Sequence, residues 1–587
     1  MKRFQYGLLV ILFLFSSATV KGQNKSIPSP SDSIEQYKTL IKETMHKSHL
    51  VGVGAALILG DSVVWKEGFG YADKENKIPF TTQSTLRIGS VTKSFTALGI
   101  MQLQERGSLN IDEPLVEYLP QFSVKTRGTD LKEITVRSVM THTSGLPNDI
   151  FYKAWDATEK YTDTLHYVKR EYLAFPPNTI FHYSNIGMCL LGHTIFEVSK
   201  QDYPVYMKKN MLIPSGMKNS GFIGYDKLRH VSKTYDTDGT IVTPPNIRNI
   251  PSGTLSSNID DLVRFAQELI AIYHGKKGGI VQPETLKRIF SEQADTAMIN
   301  NRREVLGWSL LKNDLEFAVL HFGSDNVSSA GLIIVPGKKM ASIFLANTEG
   351  GSKLAEEFCH KILEYCGLSS NDYYIVHERR PEKSGENIYS AGALNKHIGI
   401  YAHTRSFIEV TPENNELRLK TASSTYLLKP VSEDEFIPSK ALGPDKYEQM
   451  PKARFLFKDV RGYHGLIWQD EAGRREALAY RISQQNINET WKKRMGIYQL
   501  VGYKMGGKET FSKAELLVSD RRVLQLKLFY TSGEYLYNLR IENDNELVFC
   551  GFDEIIGGET IQFGKDKQKD VMFIYGLTLK KIDPSFN

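Results

Sequence analysis

Residues 85–103 read TLRIGSVTKSFTALGIMQL, and the fold turns on that run. From Ser90 to Glu105 apolar residues recur at helical spacing, which predicts a helix opening at Ser90. Ser90 and Lys93 stand three apart at its start, and positions i and i+3 share a helix face. A serine hydroxyl is a poor nucleophile near neutrality and needs a base within hydrogen-bond reach. A lysine whose charge is disfavoured by burial and nearby positive charge can be that base, or can depress the pKa of a neighbour that is. The helix start adds backbone N–H groups where negative charge would develop. The spacing alone is not specific. Ser215 and Lys218 repeat it in a turn-like stretch after Pro214, and Ser309 and Lys312 repeat it in a strand, where i and i+3 face opposite sides. The plain alternative for Ser90 is a helix-start serine beside a solvated lysine.

Working outward, residues 34–49 carry a helical pattern. Two strand-like runs, 52–59 and 62–68, are joined by Gly60-Asp61, a hairpin signal. Helical stretches alternate with Pro- and Gly-rich loops to about residue 290. Residues 305–311, 316–321 and 329–347 read as strands, and Ala355–Tyr365 as a closing helix. Strands at both ends with helices between predict an α/β (α+β) domain over residues 35–368, an antiparallel sheet flanked by helices. Residues 369–393 are polar and charged and read as a linker. Beyond them the period is two, with turn signals about every ten residues, which is all-β territory. Gly399-Ile400-Tyr401 recurs as Gly496-Ile497-Tyr498, and each copy ends in an apolar run, 476–482 and 571–579. Two similar β modules are expected, over 394–483 and 491–583.

Two further clusters carry chemistry. Tyr183-Ser184-Asn185 offers a phenol that can carry a proton beside a cation, and an amide that can hold the lysine and a substrate. Its plain reading is a core tyrosine followed by a cap for the apolar helix from Ile186. His321-Phe322-Gly323 ends a strand-like run, and a glycine on an edge strand lets a substrate backbone come close. His397-Ile398-Gly399 has the same form inside the β tail, so this signal is also weak in isolation.

Together these clusters resemble the serine β-lactamase-like superfamily: class C β-lactamases, low-molecular-weight penicillin-binding proteins, D-aminopeptidases and related esterases. The resemblance spans about residues 35–368. It rests on GFGYAD at 68–73, the run at 85–103, ITVRSVMTHTSGLP at 134–147, FHYSNIGMCLLG at 181–192, PSGTLSSNIDDLVRF at 251–265 and GWSL at 307–310, all in the family's order. It implies a Ser90 acyl-enzyme, with Lys93 and Tyr183 accepting and returning the proton, and it leaves open which of the two is the base. It implies that Asn185 positions Lys93 and the substrate. It also implies that the Ser324 N–H joins that of Ser90 as an oxyanion hole. The third motif departs from the Lys-Thr-Gly usual in β-lactamases. His321 replaces a permanent cation with a group mostly neutral at pH 7. That points away from efficient antibiotic hydrolysis and towards a peptide, amide or ester substrate, with D-amino-acid peptides and cell-wall fragments foremost. The alternative is a non-hydrolysing penicillin- or peptidoglycan-binding sensor. The β tail resembles the lipocalin-like modules appended to some family members, which shape substrate access or mediate homo-oligomers.

Composition bounds the rest. The chain has 587 residues, too many for one core, with an ordinary 41% hydrophobic and 24% charged residues. Residues 1–22 read as a signal peptide. Lys2 and Arg3 precede the apolar run 8–15, and Val20 and Gly22 sit at −3 and −1 before Gln23. Export to a periplasm or the medium is expected, with no transmembrane span after signal removal. Net charge is +6, and Lys2, Arg3 and Lys21 leave with the signal, so a nearly balanced chain remains. Nothing calls for nucleic acid. Cys189, Cys359, Cys366 and Cys550 read as core residues, and no His or Cys spacing suggests a metal or other cofactor. His142 reads as part of a turn, Asp112 and Glu113 as helix-capping, and 125–133 as a solvated loop.

Overall fold

The computed structural model describes residues 30–582 except 61, 151–152, 155, 157, 245–246, 294–303, 370–371, 373–393, 444–445, 502–510, 531–532, 553–555 and 567–568. The expected signal segment and nearly all of the expected linker lie outside the described residues.

The first half is built on an eight-stranded antiparallel sheet. Its order is Ile78–Pro79, Ser62–Asp73, Gly52–Leu59, Met340–Ala346, Ser329–Val335, Phe317–Ser324, Trp308–Lys312, Glu304–Val305. The N-terminal hairpin thus pairs with the last strand of the C-terminal set, Val53 opposite Ala346. Gly52–Leu59 is buried almost throughout, because both faces of the sheet are covered. The pleat sends alternate residues to two cores. Val53, Ala55, Leu57, Leu320 and Phe344 pack against Tyr37 and Ile41 of the helix Pro30–Ser48 and against Phe358 of the helix Ser352–His360. Ala56, Ile58, Val319, Leu332 and Leu345 face the helices Thr92–Glu105, Asn185–Ser199 and Ile259–Tyr273. The expected single run 329–347 is two strands, split by a turn at Pro336–Lys338 where Lys339 takes a left-handed φ of 55°.

Among the described residues the second half is two closed barrels: the first rings eight strands, with a ninth, Lys446–Gln449, paired outside the ring to Glu435–Gly443, and the second has eight. In the first, Gly399–Ala402 pairs with both Phe407–Glu413 and the closing strand Arg475–Ile482, and Thr425–Pro430 pairs with Glu435–Gly443 to complete the ring. In the second, Gly496–Leu500 pairs with Phe511–Val518 and with Leu577–Lys581. The repeated tripeptide plays the same part in each. Tyr401 donates its hydroxyl to the His397 carbonyl at 2.8 Å, and Tyr498 donates to the Arg494 carbonyl at 2.6 Å. The opening strand is thereby tied to the segment four residues upstream.

Three expectations change. Residues 125–133 are not a solvated loop. Lys125 pairs with Glu546, Arg127 with Glu542 at 2.9 Å and Glu133 with Arg461 at 2.5 Å, so the segment docks on both barrels. Asp112 caps no helix; it makes a two-pronged bond to Arg137 at 2.6 and 3.0 Å. Phe317–Ser324 is interior in sheet order, not an edge. Its neighbour Trp308–Lys312 pairs only with Phe317–Leu320, however, so His321–Ser324 runs beyond that neighbour.

All four cysteines are free and buried. Among the described residues no helix is long and apolar enough to cross a membrane.

Candidate active site

Ser90 lies in a short 3-10 turn, Gly89–Val91, that runs straight into the helix Thr92–Glu105. One turn on, the Lys93 amine donates to Ser90 Oγ at 2.9 Å and to the Ser252 carbonyl at 2.7 Å. Lys93 is fully buried. Burial disfavours its charged form and draws its pKa down from 10.5 to about 7, against the pull of the Asp149 carboxylate. Of the three Ser-x-x-Lys pairs, this one brings amine and hydroxyl together. Ser215 instead bonds the Met211 carbonyl, and Ser309 bonds Glu304.

Tyr183 packs between two of the groups that concern it. Its ring centroid is 4.8 Å from the Lys93 amine and 4.5 Å from the His142 ring. His142 holds this segment in register: its carbonyl accepts the His182 N–H at 2.7 Å and its Nδ1 accepts the Ser184 N–H at 3.1 Å. Ser184 then caps the helix Asn185–Ser199, its Oγ accepting the Gly187 N–H at 2.8 Å. The tyrosine therefore sits one residue before the helix cap, which fixes its backbone.

Asn185 donates its side-chain amide to Asp149 Oδ2 at 2.5 Å, and Asn249 donates to Asp149 Oδ1 at 2.8 Å. Burial raises the Asp149 pKa from 3.8 to about 6, while both amides and the nearby Lys93 and Arg248 favour the carboxylate. Arg248 is itself buried, donates to the Ile150 carbonyl at 2.7 Å and stacks over Tyr167.

The third cluster reaches the nucleophile through its backbone. Val319 faces the helix-side core, so the two-residue period puts His321 and Gly323 on that same side. A Cβ on Gly323 would stand 2.1 Å from the Ile88 carbonyl oxygen and 2.7 Å from the Ser90 nitrogen. A Cβ on Gly89, whose φ is +50°, would stand 2.5 Å from the Ser324 nitrogen. Glycine at both points lets strand and turn touch, which brings the backbones of Ser90 and Ser324 side by side. His321 Nδ1 lies 2.7 Å from the Phe322 carbonyl oxygen.

Asp149, Asn249, Arg248 and the Ser252 carbonyl were not singled out from the sequence. Ser252 falls inside the 251–265 run and Asp149 lies two residues beyond the 134–147 run, so position beside those runs was the available signal. Among the described residues no group of three or more His, Cys, Asp or Glu could hold a metal ion.

The Beta-lactamase family model matches residues 38–359. Protein flp of Staphylococcus aureus (strain NCTC 8325 / PS 47) is 26% identical over 361 residues, which cover 60% of this chain and 68% of that protein. Beta-lactamase-like protein 2 of Dictyostelium discoideum is 28% identical over 260 residues, 41% of this chain and 46% of that one. Among solved structures, SurE aligns with a TM-score of 0.54 at 22% identity, covering 77% of this chain and 99% of that one. A class C beta-lactamase aligns with a TM-score of 0.50 at 21% identity, covering 58% and 98%. At such identities the structural likeness is one of fold.

Proposed function

The chain belongs to the Beta-lactamase family, and on that premise we propose that it is an exported serine hydrolase that opens peptide, amide or ester carbonyls through a Ser90 acyl-enzyme. The observation that carries this reading is the 2.9 Å bond from a fully buried Lys93 amine, its pKa drawn down to about 7, to Ser90 Oγ. An amine in that state has a lone pair available near neutrality, which an exposed lysine lacks.

In the first step Ser90 Oγ bonds to the substrate carbonyl carbon, and its proton passes to Lys93 or Tyr183. The carbonyl oxygen becomes an oxyanion facing the Ser90 and Ser324 N–H groups. As the intermediate collapses, the bond to the leaving amine or alcohol breaks and the proton returns to that group. Water then attacks the acyl-enzyme ester, giving a proton to the same base, and the carboxylic acid leaves as Ser90 recovers its hydrogen. Asn185 and Asp149 hold the floor of the site, while His321, Gly323 and Ser324 line the side along which an extended substrate lies.

His321 argues for the substrate class. An imidazole is not a permanent cation and grips a substrate carboxylate less firmly than one, so efficient β-lactam hydrolysis is not part of this reading. SurE, which shares the fold, is solved with D-Leu. D-amino-acid peptides or cell-wall fragments are the substrates we assign here, met outside the cytoplasm if residues 1–22 direct export.

The test is intact mass after incubation with a fluorophosphonate and, separately, with a penicillin, for the wild-type chain and Ser90→Ala. Fluorophosphonate labelling forms an Oγ–P bond and expels fluoride. The expected result is one adduct on the wild type and none on the folded variant. A folded wild type that takes up neither reagent would instead support the binding or sensor role.

A further inference from the structure

The second barrel reaches into the hydrolase domain beside the proposed proton-carrying tyrosine. Glu559 immediately precedes the strand Thr560–Asp566, and beside it the Gly558 N–H meets the Phe549 carbonyl at 2.9 Å. The loop fits because Gly558, at φ +81°, lies flat on Ala174; a Cβ there would stand 2.3 Å from the Ala174 Cα. Around it the seam is polar and closely made. The Tyr172 N–H donates to Thr560 Oγ1 at 2.8 Å, the Tyr172 hydroxyl donates to Glu546 at 3.1 Å, and Gln562 donates to the Arg170 carbonyl at 2.8 Å. Glu171 is half-buried there, and desolvation raises its pKa to about 7.

The Glu559 side chain is 97% buried, and a carboxylate so placed needs donors. Its own loop supplies one, the Gly557 N–H to Oε2 at 2.7 Å. Oε1 crosses the domain boundary. It accepts the Asn148 N–H at 3.4 Å and lies 3.3 Å from His182 Nε2, at ion-pair distance but without hydrogen-bond alignment. Each of these two partners neighbours a residue of the site in the chain. His182 immediately precedes Tyr183. Asn148 immediately precedes Asp149, donates its side-chain amide to the Tyr183 carbonyl at 2.9 Å, and accepts the Asn185 N–H at 2.9 Å. One carboxylate from the far end of the chain thus pins both strands of backbone that carry Tyr183, Asn185 and Asp149.

We propose that Glu559 is a positioning residue for the Ser90 reaction: through His182 and Asn148 it sets the place of the Tyr183 ring against Lys93, so that the second barrel is part of the active-site scaffold. The inference rests on the acyl-enzyme reading above. The partners of Glu559 are Gly557, Asn148 and His182, not Ser90 or Lys93, so it acts through the backbone that carries Tyr183.

The experiment uses the full-length chain and measures the rate of Ser90 labelling by a fluorophosphonate, per titratable site, across pH. Glu559→Ala is expected to label at least tenfold more slowly with the affinity for the reagent unchanged. His182→Gln keeps a polar group beside Glu559 Oε1, and is expected to retain most of the rate; His182→Ala is expected to match Glu559→Ala, and the double variant to be no slower than either single one. Wild-type labelling per site in Glu559→Ala, or additive losses in the double variant, would overturn the proposal. If Glu559→Ala does not fold, the comparison of His182→Gln with His182→Ala decides alone, and equal rates there would count against it. A wild type that never labels would strike at the acyl-enzyme reading, whereas a labelled wild type with indifferent variants would strike at Glu559 only.

Discussion

Asn185 gives its amide to Asp149, not to Lys93, across 2.5 Å. The carboxylate it holds favours the charged form of Lys93 and so raises the pH at which the amine frees its lone pair. In Asp149→Asn that pull is gone, and the acid limb of kcat/KM moves to lower pH. The new amide also meets Asn185 and Asn249, both donors, with one acceptor fewer, and the maximal rate falls about tenfold. A pH–rate profile with an ester substrate checks both effects, and an acid limb that stays in place would contradict the first.

Burying Lys93 costs stability. Its folded pKa lies near 7, below the unfolded 10.5, so between those values the unfolded chain binds the extra proton and stability climbs with pH. At pH 7 nearly the whole cost is present. Lys93→Met removes it and leaves the Ser252 carbonyl and the half-exposed Ser90 Oγ without this donor, so the hydrolase domain gains roughly 1–3 kcal/mol at pH 7 while labelling of Ser90 is lost. Urea unfolding at pH 7 and pH 10 tests this: the gain must shrink at the higher pH, and an equal shift at both would refute the burial argument.

Gly323→Ala introduces a Cβ where the Ile88 carbonyl oxygen and the Ser90 nitrogen leave no room. The strand must retreat from the Ser90 turn, which parts the two N–H groups proposed to hold the oxyanion. Loss of one such donor costs about a hundredfold or more in rate. Circular dichroism should show a folded chain, and labelling of Ser90 should be slower by that order; an unchanged rate would place the oxyanion elsewhere.

His321→Lys restores a permanent cation on the side of the sheet that faces the site. Acylation by a penicillin, which carries a carboxylate, should accelerate several-fold, while a neutral ester should react as before. Comparing the two reagents on one variant separates charge from general disturbance, and a parallel change in both would rule out the carboxylate.

What the sequence made legible followed from local patterns. The 52–59 and 62–68 hairpin, the helix at Ser90 and the two-residue period of the tail each depend on neighbours close in the chain, and each is found. The tripeptide repeat exposed the two barrels for the same reason. The exceptions came from distant partners. Pro114 shortly after it suggests that Asp112 caps a helix, yet Arg137 claims it. Residues 125–133 looked solvated because they are charged, yet those charges meet Glu542, Glu546 and Arg461 across domain boundaries. Asp149 gave no local sign of burial, since its surroundings come from residues 185, 248 and 249. Motif spacing finds the nucleophile; it does not find the groups that set its environment.

The contact between Asn148 and Glu559 joins residues 411 positions apart. Closing so long a loop is entropically unfavourable until nearby packing rewards it, and such contacts form late in folding. Ser90 and Lys93 meet within one helical turn and can do so early. The second barrel follows the hydrolase half in the chain, so on the Glu559 proposal the second motif is seated only once that barrel has folded, whereas Ser90 and Lys93 need no such distant partner to meet.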